Sequence, residues 1–218
     1  MNAKYNDPLY DFHEYGANIK TREMFLQNYP DNGENPGIEY KTANSFIKNL
    51  RALEISSTKD ILVHLYSIGG EWNDCMAMFD AVKACYSRIV MVAYAQAESS
   101  SSIILQAAET RIMMPNSYFM AHYGNGYYSG EYQSVHNWSA FEKKYITETM
   151  MNIYAEKCAE GEYFKEKDYT VDQVKKFLYK KFKDGDWYLN PEEAVYYGFA
   201  DGVLGSKEYP DFTSLITS

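Results

Sequence analysis

Three stretches of this sequence carry residue types that can do chemistry. Ser67-Ile68-Gly69-Gly70 ends an apolar run. Paired glycines let a backbone approach a ligand closely with its N–H groups turned outward, as an oxyanion site requires. Ala95-Gln96-Ala97-Glu98-Ser99-Ser100-Ser101-Ser102 places serines where a strand pattern gives way to a helical one. A nucleophilic serine at such a point has N–H groups beside it to stabilise the oxyanion it generates. His122 closes a short apolar run just before Tyr123-Gly124-Asn125-Gly126, where a histidine can be catalytic or structural. The first two stretches also have ordinary explanations, a simple turn and helix capping. His13 lies in a polar arm, His64 inside a strand pattern and His136 on a helical one.

The elements that must position these residues alternate between strand and helix. Residues 1–20 read as a polar, irregular arm punctuated by Pro8 and Gly16, and residues 22–29 as a short strand. Residues 31–37 are dense in turn formers and read as a loop. Ala43, Phe46, Ile47, Leu50 and Leu53 recur at helical spacing over residues 40–53. Residues 60–65 form a near-continuous apolar run of the buried parallel kind, followed by a helix over 73–86 and a strand over 89–94. The serine-bearing stretch becomes helical in its later part, before Ala108, and short strands follow at 112–114 and 118–122. This is the βαβ alternation of an α/β fold. Residues 131–157 then carry one helical pattern without proline or glycine, which at 1.5 Å per residue projects some ~40 Å and needs a partner. Residues 160–170 read as a polar loop and 171–182 as another helix. Asn190-Pro191-Glu192-Glu193 is a strong helix start, and Gly198 a fitting stop.

Composition narrows the function classes. The chain has 218 residues, enough for a single domain spanning 1–218, and 46% hydrophobic residues support a packed core. No apolar run approaches the roughly 18 residues of a membrane span, and mean hydropathy is −0.49. Twenty-one basic against 30 acidic residues give a net charge of −9, which argues against a nucleic-acid-binding surface. Cys75, Cys85 and Cys158 have no CxxC spacing and read as reduced thiols, so neither a disulfide framework nor a metal site is expected. The first 20 residues hold no apolar leader, so a cytoplasmic location is expected. The 22 tyrosines suit wet interfaces between subunits, or reflect composition bias alone.

The joint order of these features resembles the ClpP family of serine peptidases, from about Tyr10 to Val203. The family's S-P-G-G is matched by Ser67-Ile68-Gly69-Gly70, and its G-x-A-A-S-M-G by residues 95–101. Its L-P-N-S-x-x-M-I-H is matched by Met114-Pro115-Asn116-Ser117-Tyr118-Phe119-Met120-Ala121-His122. Its D-x-F-L-[ST]-x-x-E-A-x-x-Y-G-L-[IV]-D is matched by residues 186–201. The resemblance implies a ClpP/crotonase-like βαβ superhelix with a long projecting handle helix (the handle region being 131–182). It also implies a Ser-His-Asp triad of Ser99, His122 and Asp186, with the N–H groups of Gly70 and Ser100 as oxyanion donors. Asp184 is the nearest rival to Asp186, and the Leu189-Asn190-Pro191 register favours Asp186. No cofactor is implied. The implied activity is cleavage of unfolded polypeptides inside stacked homo-oligomeric rings, served by an AAA+ unfoldase.

Departures from the family pattern lead to the expectation of a divergent relative, either specialised or virus-encoded (a phage being the candidate source). Glu98 replaces a small residue beside the nucleophile, and Ser101 and Ala95 replace glycines. Nine residues precede Tyr10, which leads to an expectation of weak unfoldase docking and of peptide cleavage without ATP. Two alternatives follow from the same residues. A crotonase-like acyl-CoA enzyme shares the oxyanion arrangement without a triad, and acyl-CoA binding would distinguish it. A catalytically inactive ClpP-like scaffold subunit is the reading that Glu98 and Ser101 would explain.

Overall fold

A computed structural model of the chain describes residues 8–26, 37–126 and 128–216. Residues 1–7 of the expected arm, 27–29 of the expected first strand and 31–36 of the expected loop lie outside it. The described part of the arm is not irregular. Pro8 opens a helix, α1 (Pro8–Tyr15), and the chain turns at Gly16 into β1 (Ala17–Asn18) and β2 (Glu23–Leu26). The segment is ordered by tertiary contacts that local pattern does not announce. Phe12 meets Phe25 edge-on at 5.5 Å, and Asn18 Nδ2 donates to Asp11 at 3.1 Å.

Helix α2 (Tyr40–Ser56) buries Ala43, Phe46, Leu50 and Leu53, and the Glu39 side chain caps it by accepting from the Thr42 N–H. The chain then runs through β3 (Ile61–Ser67), α3 (Trp72–Lys83), β4 (Ile89–Glu98), α4 (Ser100–Leu105), β5 (Thr110–Met113) and β6 (Tyr118–Ala121). A long helix follows: α5 (Tyr132–Phe141), a π-helical stretch (Glu142–Ile146) and α6 (Thr147–Cys158) succeed one another without a break. Next come α7 (Glu162–Lys165), α8 (Val171–Lys183), β7 (Trp187–Leu189), α9 (Pro191–Tyr196) and β8 (Gly202–Val203). The stretch 160–170 is thus not all loop. Phe164 of α7 is fully buried and packs edge-on against Phe177 at 5.2 Å, which the polar residues around it conceal in the sequence.

The sheet runs β1-β2-β3-β4-β5-β8, with β6 paired to β4 and β7. Only the β1/β2 and β6/β7 pairs are antiparallel among the described strands. Strands β3 and β4 read as continuous apolar runs because both their faces are covered. Ile61, Val63, Leu65, Met91 and Ala93 enter the main core with the helices. Leu62, Val90, Val92 and Ile112 join a second, smaller cluster on the other face, where Leu204, Tyr209, Phe212 and Leu215 lie over them. Arg88 holds that segment down, donating to the Leu215 carbonyl at 3.2 Å while paired with Asp60 at 2.7 Å.

Strand β4 carries a bulge. Between the pairs Leu65↔Ala93 and Ser67↔Ala97 it inserts two residues more than β3, and Ala95 sits there at φ 50. The bulge divides the strand's partners: residues 90–93 pair with β5 and residues 96–98 with β6. Nearby, His64 is buried between β2 and β4. It stacks on Phe25 at 4.3 Å, with Nε2 3.1 Å from Glu23 Oε2 and Nδ1 2.8 Å from the Tyr94 hydroxyl. A carboxylate can only accept, so the neutral ring donates from Nε2 and accepts from Tyr94.

Two predictions follow. A left-handed conformation costs an L residue roughly 1–2 kcal/mol and glycine nothing, partly offset by glycine's looser unfolded chain. Ala95→Gly should therefore stabilise the fold by up to about 1 kcal/mol, read as a higher urea midpoint. Burial lowers the His64 pKa from 6.5, and Glu23 only partly opposes this. As pH falls through 6.5 the unfolded chain takes a proton that the fold resists, so stability declines. In His64→Phe, the stability lost between about pH 7 and 5.5 should be smaller than in the parent protein.

Candidate active site

Strand β6 brings the candidate residues together. On one side it pairs with the end of β4, in the register Glu98↔Met120, and the Ser99 N–H donates to the Met120 carbonyl at 3.0 Å. On its other side it pairs with β7 through Met120↔Tyr188 and Ala121↔Trp187. One further step of that antiparallel register sets His122 opposite Asp186. The side chains complete the line: His122 Nε2 lies 2.8 Å from Ser99 Oγ, and His122 Nδ1 lies 3.0 Å from Asp186 Oδ1. Since Asp186 can only accept, Nδ1 carries the hydrogen and Nε2 is left to accept from the serine hydroxyl. His122 is largely shielded, with 13% of its side chain exposed, whereas Asp186 is half exposed. Asp184 stands apart, ending α8 as its C-cap.

Ser99 itself sits on a sharp turn between β4 and α4, at φ 52 and ψ −126. Such a conformation is sparsely populated for a residue with a side chain, and surrounding contacts must hold it. Two of them come from the serines that follow. Ser101 Oγ is within 2.8 Å of the Ser67 carbonyl and 2.7 Å of the Glu98 carbonyl, tying the turn to the end of β3. Ser102 Oγ donates to the Ser99 carbonyl at 2.6 Å and is 2.6 Å from the buried Tyr154 hydroxyl. The serine in place of glycine at 101 is accordingly a buried clamp.

The paired glycines approach this turn as closely as backbone can. A Cβ on Gly69 would fall 2.7 Å from Ser99 Cβ and 2.9 Å from Ser100 N, so no larger residue fits. Gly70 forms a parallel bridge with Ile38: Ile38 N–H donates to the Gly69 carbonyl at 2.6 Å and Glu71 N–H to the Ile38 carbonyl at 2.9 Å. In a parallel bridge the central residue's own N–H points away from its partner. Gly70's N–H is left on the side of the cleft, and among the described residues neither it nor the Ser100 N–H takes a protein acceptor. Ile38 was not distinguished by its sequence, because the bridge links it to residues 32 positions away.

Gly70, Ser99, Ser100 and His122 line one cleft of about 530 Å³. Trp72, Ile103, Ile146 and Met150 supply apolar walls, and Glu142, Lys143 and Thr147 a polar one. No sequence pattern marked these walls, since they come from α3, α4 and the long helix and meet only in the fold. Glu98 is absent from the lining. Its carboxylate accepts a hydrogen bond from Tyr118, whose hydroxyl is pushed up to about 12 chiefly by that bond. Among the described residues no group of three or more His, Cys, Asp or Glu is placed to hold a metal, and no helix is long and apolar enough to cross a membrane. The arrangement has the parts for acyl transfer: a hydroxyl, an adjoining imidazole, an acid on the imidazole's far nitrogen, and backbone donors nearby.

Comparison with known proteins places the chain in a lineage. An ATP-dependent Clp protease proteolytic subunit of Carsonella ruddii is 24% identical over 197 residues, covering 88% of this chain and 89% of the relative. The ATP-dependent Clp protease proteolytic subunit 2 of Pseudomonas aeruginosa is 25% identical over 191 residues, covering 87% and 84%. The corresponding subunit of Deinococcus radiodurans is 24% identical over 170 residues, covering 77% and 76%. The Clp protease family model matches residues 15–207, and with it the strand ends and turn that carry Ser99, His122 and Asp186: the chain belongs to the Clp protease family.

Proposed function

We propose that this protein is a serine endopeptidase that cleaves unfolded polypeptides with Ser99 as nucleophile, His122 as general base and Asp186 as the acid that orients it. The observation that carries this reading is the hydrogen-bonded line from Ser99 Oγ through His122 to Asp186, at 2.8 and 3.0 Å. His122 Nε2 accepts the Ser99 proton as Oγ attacks the peptide carbonyl, and the N–H groups of Gly70 and Ser100 bind the oxyanion. His122 then gives the proton to the departing amine, leaving an acyl group on Ser99. Water, deprotonated by the same histidine, releases it. The half-exposed carboxylate of Asp186 fixes the tautomer throughout. The engagement of Glu98 by Tyr118 supports activity over a scaffold role, because the acid is held by a partner away from the cleft.

The long helix supports an assembled enzyme. Helix α5 has no buried residue, and Trp138, Phe141 and Tyr145 form a run of neighbouring rings 5.7 and 5.1 Å apart, each about half exposed. An exposed aromatic stripe of this kind suits contact with a second chain. We read it as the contact between stacked homo-oligomeric rings, with the active sites enclosed. The relatives' designation as subunits of an ATP-dependent protease supports an ATP-driven unfoldase as partner.

Treatment with a fluorophosphonate should label Ser99 alone, and Ser99→Ala should abolish both labelling and peptide cleavage with assembly intact. Label at another serine in that variant, located by mass spectrometry, would overturn the nucleophile assignment. The double variant Trp138→Ala/Phe141→Ala should convert a large particle into single rings or monomers by light scattering. A parent protein that is already monomeric at micromolar concentration would refute the ring contact.

A further inference from the structure

Four consecutive serines occupy the turn, and their hydroxyls have different fates. Ser99 Oγ faces His122, Ser101 Oγ is shared between two carbonyls, and Ser102 Oγ is bound to the Ser99 carbonyl and Tyr154. Ser100 Oγ has no partner. It is the one buried side-chain oxygen or nitrogen among the described residues in that condition, in a residue only 5% exposed. An unsatisfied buried hydroxyl destabilises the fold, which gains by having something else there unless the group acquires a partner in use.

Covalent geometry limits what that partner can be. In any staggered rotamer a serine Oγ stays within about 3–4 Å of its own backbone nitrogen. Ser100 lines the cleft next to Ser99, and its N–H is one of the two proposed oxyanion donors. The backbone cannot drift, because the Ser100 carbonyl accepts from the Cys75 thiol at 3.2 Å and the turn is clamped by Ser101. Only the side chain is free to turn about Cα–Cβ.

Resting on the serine-peptidase reading, we infer that the Ser100 hydroxyl is a third oxyanion donor. It turns into the cleft when the tetrahedral intermediate forms on Ser99, and donates its hydrogen beside the Gly70 and Ser100 N–H groups. No bond is made or broken at Ser100, and the oxyanion's charge is shared over three donors in place of two. The site therefore holds a rotatable donor in reserve: its bond is absent in the free enzyme and made at the transition state, which raises kcat and leaves KM alone.

The test is Ser100→Ala in the full-length assembled protein, which keeps the backbone N–H and removes only the hydroxyl. Expected are a kcat lower by roughly 10-fold or more with KM unchanged, and a matching loss of affinity for a peptide boronate that forms a tetrahedral adduct on Ser99. The unfolding midpoint should rise, since the orphaned group is gone. Ser100→Cys, isosteric but a weak donor, should fall between parent and alanine in kcat. An alanine variant that is more stable with kcat and boronate affinity unchanged overturns the inference and leaves the peptidase reading intact. A parent enzyme that neither cleaves peptides nor reacts with fluorophosphonate overturns both.

Discussion

Everything at the site depends on one short strand having two neighbours. Strand β6 is four residues long, yet its backbone pairs with β4 on one side and β7 on the other. The residue leaving β4 is Ser99, the one preceding β7 is Asp186, and the one leaving β6 between them is His122. Hydrogen-bond register along a strand is discrete, and a slip of one residue turns each side chain to the opposite face. The spacing of the three groups is thus set by backbone pairing before any side chain is considered. Side-chain bonds then select rotamers within a frame that is already fixed.

That frame contains strain, and the strain is local. Ala95 at φ 50 marks the point where β4 leaves β5 and turns to β6, and Ser99 at φ 52 follows four residues later. Ala95 lies on β4 and Ser99 directly follows it, and the first half of that strand is buried on both faces, so the core can hold them where an isolated turn could not. Phe182, Trp187, Tyr197 and Phe199 pack edge-to-face around β7, next to Asp186, with Lys181 over the Trp187 ring at 5.3 Å. This cluster compensates for the brevity of β7. Three residues of antiparallel ladder alone would not hold a half-exposed aspartate in place.

What the sequence disclosed followed from whether the signal was local. The Asn190-Pro191-Glu192-Glu193 start is legible because a capping box is a four-residue object, and the fold contains it with reciprocal bonds. The continuous apolar runs of β3 and β4 and the helical pattern of the long helix were likewise local signals. Helix α1, helix α7 and strand β7 were not, because each is short and each is ordered by aromatic contacts with distant elements. The approach of His122 to Asp186 spans 64 residues and has no periodicity at all; it was readable only through the order of family motifs. Least visible was the bridge from Ile38 to Gly70, since neither residue's type predicts a partner. The unsatisfied hydroxyl of Ser100 also lay beyond reach, because a serine in a row of serines reads as capping until each hydroxyl is traced.

Helix α5 has a consequence for how the molecule comes together. None of the ten residues capped by Glu131 is fully buried within its own chain, so little intramolecular packing offsets the loss of backbone freedom that helix formation entails. Its order is borrowed from the continuous run into α6 and, on the proposed reading, from a second chain. Dilution would then act as a denaturant for this one segment: separated subunits would keep a folded α6, anchored to α8, and lose helix progressively from the end that starts at Tyr132. Because Glu142, Lys143, Ile146 and Thr147 of the same helix also wall the cleft, the shape of the cleft would become a function of protein concentration.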